Sequence, residues 1–378
     1  MNPFQHSALA RKGAFCNRKK ELREIRRSME NGDRAFIYSE RRLGKTSLVK
    51  LALSGLPKEE FLGAYIDLWP TDDEESFIIA MARGISESLE SKADKMLKSA
   101  RQFFGAMAPS VTMDSDGKPT VTFAQRTASP GHPELRSILA TPAIIAKKRK
   151  RRVVIVFDEF QRILEYDNDL VERTLRSVIQ EQSEIAYIFL GSRRHLIRSM
   201  FLDQNRPLYR AGTHYPLGPI ATEHWIPYIR SRFRKTDREI ASAVIKELCA
   251  MTDGHPFYTQ HLCHVLWEMS DPGTVISADN LQAALGLVLE RESYAYTVLW
   301  ESLGTNQQRF VTGLAHEPPG TQVYSADFIA RYRLRSPASA QRVVQTLLER
   351  DVIDHAEGSF VLTDRIFGAW VRQSALLP

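Results

Sequence analysis

At 378 residues the chain exceeds one ordinary domain, and its 43% apolar content is enough to bury two or three cores. The 51 Lys and Arg against 45 Asp and Glu leave a net charge of +6, which permits affinity for nucleic acid without demanding it. No apolar run approaches bilayer-spanning length, Met1–Gly13 lacks the apolar centre of a signal peptide, and Cys16, Cys249 and Cys263 offer neither an even count nor C-x-x-C spacing. A soluble, cytoplasmic protein with no membrane contact, disulfide framework or zinc site is therefore expected. His261-Leu-Cys263-His264 looks metal-like, but residues two and three apart do not all share one helix face, so packing is the reading.

Arg34-Ala-Phe-Ile-Tyr38 reads as a strand running through Ser39-Glu-Arg-Arg-Leu-Gly44 into a helix that opens Lys45-Thr46-Ser47. That order suits a phosphate cradle. The turn aims backbone N–H groups and a helix N-terminus at phosphates, Lys45 reaches the β- and γ-oxygens, and the Thr46 hydroxyl ligates Mg²⁺. Ser39 stands where the pattern G-x-x-x-x-G-K-[ST] has glycine, the freest backbone residue. Arg41 and Arg42 project from the loop, toward a γ-phosphate or a neighbouring subunit, or as surface cations.

Phe61–Leu68 is the next strand candidate. The stretch that follows is longer than a phosphate-binding core needs, and Pro109–Phe123 alternates apolar and polar residues around Asp114–Lys118, whose Asp-Gly chemistry indicates a β-hairpin insertion at about 108–124. It is either a contact device or a flap packed on its own domain. A helix over Pro133–Ala146 leads into Lys147-Lys-Arg-Lys-Arg-Arg152. Held together, Lys147, Lys148, Arg149, Lys150 and Arg151 would attract nucleic-acid phosphates, whereas cations at a helix C-terminus also complement its dipole.

Val153-Val-Ile-Val-Phe157 is an uninterrupted apolar run ending in Asp158-Glu159, as expected of a parallel strand buried on both faces with carboxylates at its carboxyl end. Open α/β sheets bind ligands there. Asp158 would hold Mg²⁺ and Glu159 would polarise an attacking water. Ala186–Leu190 ends in Gly191-Ser192-Arg193, where Ser192 or Arg193 could sense a γ-phosphate. Tyr215–Ile220 completes five parallel strands with helices between them.

Glu223–Leu289 is almost all helical pattern, broken at Gly254-His-Pro256 and capped at Ser277. Arg230, Arg232, Arg234, Lys235 and Arg238 form a second basic set that flanks a nucleotide or a polymer, or simply faces water. His255 reads as a nucleotide-state reporter or as a capping or surface histidine. Further on, helices over Gln307–His316, Ser325–Arg331 and Ser336–Arg350 precede Val352-Ile353 and Phe360–Leu362, which flank Glu357-Gly358 as a wing. Ser336 and Pro337 supply the N-cap and first position of the last helix. This region resembles a winged helix. If it reads DNA, Ser339, Gln341, Arg342 and Gln345 are the candidate contacts, although eight basic and eight acidic side chains from Glu301 onward make it neutral.

Taken together, Phe15-Cys-Asn-Arg-Lys-Lys-Glu-Leu22, Ser39–Leu48, Phe157-Asp-Glu-Phe-Gln161, Leu190-Gly-Ser192 and Thr252-Asp-Gly-His-Pro-Phe-Tyr258 resemble a STAND-class P-loop ATPase of the archaeal-type AAA group. Asn17 and Ser39 depart from it, both being glycine in the usual pattern. The resemblance implies a five-stranded α/β P-loop ATPase domain over 1–220, a helical lid over 221–295 and a winged helix over 296–378. It implies adenine binding near Arg18 and Pro256. The expected nucleotide-binding residues are Arg18, Ser39, Arg41, Arg42, Leu43, Gly44, Lys45, Thr46, Ser47, Gly254, His255 and Pro256; the catalytic groups are Glu159, Lys45 and Ser192; Mg²⁺ falls to Thr46 and Asp158.

The expected activity is ATP binding and hydrolysis that drives a lid and winged-helix switch, with ATP or ADP and Mg²⁺ as cofactors. A protein partner and an ATP-dependent oligomer are expected, with Arg193, Arg194 and Arg198 as candidate arginine fingers. The alternative is a DNA-binding AAA-like factor of replication, transposition or defence, its ATPase coupled to DNA. A small-molecule kinase suits Asp158-Glu159 less well, and a catalytically idle scaffold is the reading in which Ser39 has cost the loop its turnover.

Overall fold

The structure, a computed structural model, describes residues 2–5, 15–89, 93–104, 107, 109–114, 117–123, 133–192, 194–356 and 358–374. The chain divides into two units: Arg18–Ser39 with Lys45–Leu217, and Met1–Asn17 with Glu40–Gly44 and Gly218–Pro378. The first is built on a sheet and the second is mainly helical.

The sheet unit carries β1 (Arg34–Tyr38), β2 (Phe61–Asp67), β3 (Pro109–Met113), β4 (Pro119–Phe123), β5 (Arg152–Asp158), β6 (Ile185–Gly191) and β7 (Thr213–Pro216). Five of these form one sheet in the order β2-β5-β6-β1-β7, all pairs parallel. The apolar runs of β5 and β6 are buried almost end to end, as a strand with no water-facing side requires. Phe157 and Phe36 stack on Phe189 with ring centroids 5.7 and 4.9 Å away, which ties three adjacent strands together.

Register then decides what meets at the carboxyl edge. Tyr38 pairs with Gly191, Phe157 lies two positions beyond the Ile155–Tyr187 pair, and Asp67 lies opposite Asp158. The residues that follow these strand ends are therefore neighbours, and the Ser39 N–H donates to the Gly191 carbonyl at 3.3 Å.

The last strand differs from expectation. It occupies Thr213–Pro216, not 215–220, because pairing with β1 begins at Ala35–Thr213, and Pro219 beyond it has no N–H to give a ladder. The insertion is an antiparallel hairpin, β3 with β4. Its inward face belongs to the core of its own unit: Val121 is buried and the Phe123 ring meets Phe104 edge-on at 6.0 Å. Residues 108, 115, 116 and 124 of that insertion lie outside the described residues.

In the helical unit, helices Thr222–Arg234, Ser242–Thr252, Pro256–Glu268 and Ala278–Glu301 are joined by a two-residue parallel pair that the sequence reading did not contain, β8 (Glu239–Ile240) with β9 (Val275–Ile276). Thr305–His316, Ala326–Arg331 and Pro337–Glu349 follow, then the wing β10 (Ile353–Ala356) and β11 (Ser359–Leu362) and a final helix Arg365–Ser374. Ser277, Ser325 and Ser336 each accept a backbone N–H three residues on, fixing three helix starts. Glu357 in the wing turn lies outside the described residues, and Gly358 takes φ 83°, which glycine supplies without a Cβ penalty. Helix Ala278–Glu301 is continuous through residue 295, and one apolar core runs from Trp225 through Leu289 and Phe310 to Val371.

Candidate functional site

At the sheet's carboxyl edge three polar pairs converge. Lys45, the first residue of helix Lys45–Ser54, is buried, and its Nζ donates to Ser39 Oγ at 2.9 Å and to the Ser39 carbonyl at 3.3 Å. Ser39 is fully buried and is absent from the residues with positive φ, so serine costs this turn no backbone strain. The left-handed positions of the loop are instead Arg42, φ 60°, and Gly44, φ 88°. At the family's other glycine position Asn17 takes φ 56°, which asparagine tolerates better than most residues.

The second pair is Thr46 with Asp158. The Thr46 hydroxyl donates to Asp158 Oδ2 at 2.7 Å. The Tyr65 hydroxyl donates to the same oxygen. Tyr65 was not among the expected site residues. Burial raises its pKa far above the usual tyrosine range, with the Asp158 charge as the next cause, so it stays a donor. Its position follows from strand pairing: Tyr65 lies opposite Val156, one pleat short of the Asp67–Asp158 pair, so only the β2–β5 neighbourhood reveals it. Hydroxyl and carboxylate oxygens are the hard donors that Mg²⁺ takes together with water and substrate phosphates, so Thr46 and Asp158 fit that ion.

The third pair is Glu159 with Ser192. Glu159 takes φ 52° where β5 turns into a short 3₁₀ segment, a left-handed conformation that costs a non-glycine residue free energy and here aims its carboxylate. Ser192 Oγ donates to Glu159 Oε2 at 2.6 Å, and Gln161 Nε2 reaches the same oxygen at 2.5 Å. Gln161 is almost fully buried and its Nε2 also lies 3.4 Å from Ser192 Oγ. Chemically, this is a carboxylate held by two donors beside a lysine, a hydroxyl and a second carboxylate.

These geometries coincide with a family assignment. The description "ATPase domain predominantly from Archaea" matches residues 15–262, and a probable winged helix domain matches residues 294–373. The chain belongs to this archaeal-type ATPase family. Among solved structures it is similar to the Walker-type ATPase of Pyrococcus abyssi, at 16% identity over 98% of this chain and 99% of that chain, with a TM-score of 0.65. It is also similar to the ORC2 protein of Aeropyrum pernix in its ADPNP–ADP complexes, at 13% identity over 98% and 96% of the two chains, with a TM-score of 0.53. At such identities the likeness is one of fold. No curated protein matches the sequence.

In this chain the loop residues Glu40–Gly44 group with the helical unit. Arg41 and Arg42 are exposed and each has a partner: Arg41 pairs with Asp351 at 2.9 Å, and the Arg42 guanidinium lies 4.2 Å from the centre of the Phe257 ring. Leu43 is buried. His255, read as a possible surface histidine, is 2% exposed at the N-cap of helix Pro256–Glu268, with Nε2 3.1 Å from the Arg41 carbonyl. Gly254 has φ 59°, and a Cβ there would lie 2.2 Å from the Ile220 carbonyl oxygen. Its own carbonyl accepts from the Ile220 N–H and from Trp225 Nε1, each at 3.1 Å, so only glycine fits.

Other expected residues have ordinary partners. Arg18 is buried at the N-cap of helix Lys19–Asn31 with φ 68° and pairs with Glu21 at 2.9 Å. Ser47 lies in the first turn of helix Lys45–Ser54. The helix expected to end at Ala146 runs to Arg149, so Lys147, Lys148 and Arg149 sit in its last turn, where cations offset the dipole. Arg149 donates to Ser99, Arg151 to the Glu59 carbonyl and Arg152 to the Glu30 carbonyl, while Lys147, Lys148, Arg149, Lys150 and Arg152 are all exposed. The basic run is thus partly spent on packing. Much of the second set is too: Arg238 is buried against Ser270 and the Trp267 ring, Arg232 lies over Tyr228 and Arg230 bonds Ser242. Arg193 and the side chains of Arg194 and Arg198 lie outside the described residues. Ser339 N–H is taken by the Ser336 cap, and Arg342 lines an open polar depression of about 400 Å³ with Arg335, Asn306 and Gln307.

Proposed function

We propose that the chain is an ATP-binding and ATP-hydrolysing switch of the STAND type, with a nucleotide domain over 1–220, a lid over 221–295 and a winged helix over 296–378. The observation that carries this is the meeting of Lys45–Ser39, Thr46–Asp158 and Glu159–Ser192 at one sheet edge. Lys45 would exchange its bond to Ser39 for phosphate oxygens. Thr46 and Asp158 would hold Mg²⁺, which supplies charge neutralisation at the β- and γ-phosphates. Glu159, oriented by Ser192 and Gln161, would accept a proton from the attacking water, with Ser192 close enough to register the γ-phosphate. Positioning and charge stabilisation of this kind are most of what phosphoryl transfer needs. A switch also requires that ATP and ADP favour different conformations.

Turnover is the test, with wild type, Lys45→Ala and Glu159→Gln compared with and without double-stranded DNA at two salt concentrations. Turnover that depends on both residues and ignores DNA supports the switch. A second reading, an ATPase coupled to DNA, is favoured by one observation: among the described residues, no carboxylate lines the depression around Arg335 and Arg342 at the start of helix Pro337–Glu349. DNA-stimulated turnover that fades steeply with salt would select it. Size-exclusion chromatography with light scattering, run with ADP and with ATP, checks the proposed ATP-dependent oligomer.

A further inference from the structure

Asp158 closes β5 with 5% of its surface exposed, and a carboxylate so placed is tolerated when hydrogen bonds compensate its charge. Three donors reach it. Its Oδ1 accepts the Glu159 N–H at 2.9 Å, and its Oδ2 accepts the hydroxyls of Thr46, at 2.7 Å, and of Tyr65. A carboxylate offers about four acceptor positions, so three donors from three directions leave it little freedom to turn. Thr46 belongs to the helix after the phosphate loop, whereas Tyr65 comes from the neighbouring strand β2. Tyr65 lies opposite Val156, and Asp158 is the next residue of β5 on that face, a diagonal neighbour within reach of an aromatic side chain. The same face of β2 carries Gly63, where a Cβ would lie 2.7 Å from Leu53 Cδ2 of helix Lys45–Ser54, so glycine lets helix and strand approach closely. From that helix the Lys50 Nζ stands 4.1 Å from the centre of the Tyr65 ring. The ring is thereby held against the helix while its hydroxyl meets Asp158.

We propose that Tyr65 is a positioning residue for Asp158: its hydroxyl fixes the carboxylate in the orientation in which it holds the divalent cation that accompanies the nucleotide. The proposal rests on the nucleotide reading above and gives a task to a residue which that reading leaves out. Without the phenol hydroxyl, Asp158 keeps Thr46 and the Glu159 N–H but loses its one donor from β2, so part of the binding energy of the cation is spent on ordering the side chain. Outer donors of this kind orient a ligating group, and removing one typically weakens metal binding by about 10- to 100-fold. The bond from Lys45 to Ser39 does not involve Tyr65, so nucleotide binding without metal is independent of it.

The test is a double-mutant cycle on the full chain, Tyr65→Phe, Asp158→Asn and both together. Two quantities are read with a fluorescent ADP: the affinity in EDTA, and the Mg²⁺ concentration that half-saturates the protein–ADP complex. Tyr65→Phe keeps the ring and its packing, and is expected to raise the Mg²⁺ midpoint by about 10- to 100-fold while the affinity in EDTA stays within a few-fold of wild type. The double variant should have the same Mg²⁺ midpoint as Asp158→Asn, since no carboxylate remains for the tyrosine to position.

A tyrosine with a merely structural role would weaken ADP binding equally with and without metal, and that result would overturn the proposal. So would an unchanged Mg²⁺ midpoint in Tyr65→Phe. Should that single variant fail to fold, the comparison of Asp158→Asn with the double variant still decides, because a further rise of about tenfold in the double contradicts a role exercised through Asp158. Wild type that binds no ADP or ATP would remove the nucleotide reading itself. Wild type that binds ADP with an affinity indifferent to Mg²⁺ would leave nucleotide binding in place and overturn the role of Tyr65 alone.

Discussion

The strand-end cluster and the loop segment Glu40–Gly44 are consecutive in the chain but take their partners from different places. At the strand ends, Ser39, Glu159 and Ser192 follow β1, β5 and β6 and Asp158 closes β5, so the sheet register brings them together, with Lys45 and Thr46 at the start of the helix after β1. That cluster persists as long as the sheet does. The charges of Glu40 and Arg41 are instead answered by Arg365 and Asp351, which only the tertiary fold of the helical unit supplies. One set follows from β-pairing, the other from the fold of the helical unit.

The largest effect that would break the comparison comes from Lys45→Ala. It should remove ATP binding by about 10²-fold or more in calorimetric titration, the scale on which single preorganised donors act. Retained affinity would mean that the strand-end cluster is not the phosphate site. Next, Gly254→Ala should cost about 2 kcal/mol or more in denaturant unfolding, because a Cβ would collide with the Ile220 carbonyl at a left-handed φ. The affinity of whatever still folds should change less than the stability.

Ser192→Ala should lower turnover by about tenfold or more while leaving ADP affinity near wild type, since it frees Glu159 from one of its two donors. Equal losses in both would place Ser192 in binding, not in orientation. The smallest effect is alkaline. Burial raises Tyr65, and lifts Tyr166 and Tyr228 to about 12. In the unfolded chain tyrosine ionises near ~10. Raised folded values favour the protonated form, so the stability they contribute is intact below pH ~10 and falls as pH rises beyond it. Melting temperatures between neutral and strongly alkaline pH should show that decline, and Tyr65→Phe should make it shallower.

The legible parts of the fold were those with a local signature. Arg34–Tyr38 and Val153–Phe157 are apolar runs bounded by functional turns, and both strands stand where the pattern places them. Ser277, Ser325 and Ser336 cap helices by side chain-to-backbone bonds three residues long, which sequence reading captures.

The illegible parts depended on partners distant in sequence. Tyr65 is an ordinary strand tyrosine until β2 is known to lie beside β5, and nothing near Glu40 points to Arg365. The two-residue pair β8–β9 is too short to carry a period. The partners of the basic run were likewise not legible: helix Pro133–Arg149 takes up its first half, and Arg149, Arg151 and Arg152 find acceptors on neighbouring segments.

The central claim, that Glu159 performs hydrolysis at a site that Lys45 and Thr46 assemble, is tested most directly by single-turnover ATP hydrolysis in wild type and Glu159→Gln at matched nucleotide occupancy. The account predicts ATP affinity within a few-fold of wild type and a hydrolysis rate lower by about 10²- to 10⁴-fold, the usual contribution of a general base. A Glu159→Gln protein that hydrolyses ATP at the wild-type rate would contradict it.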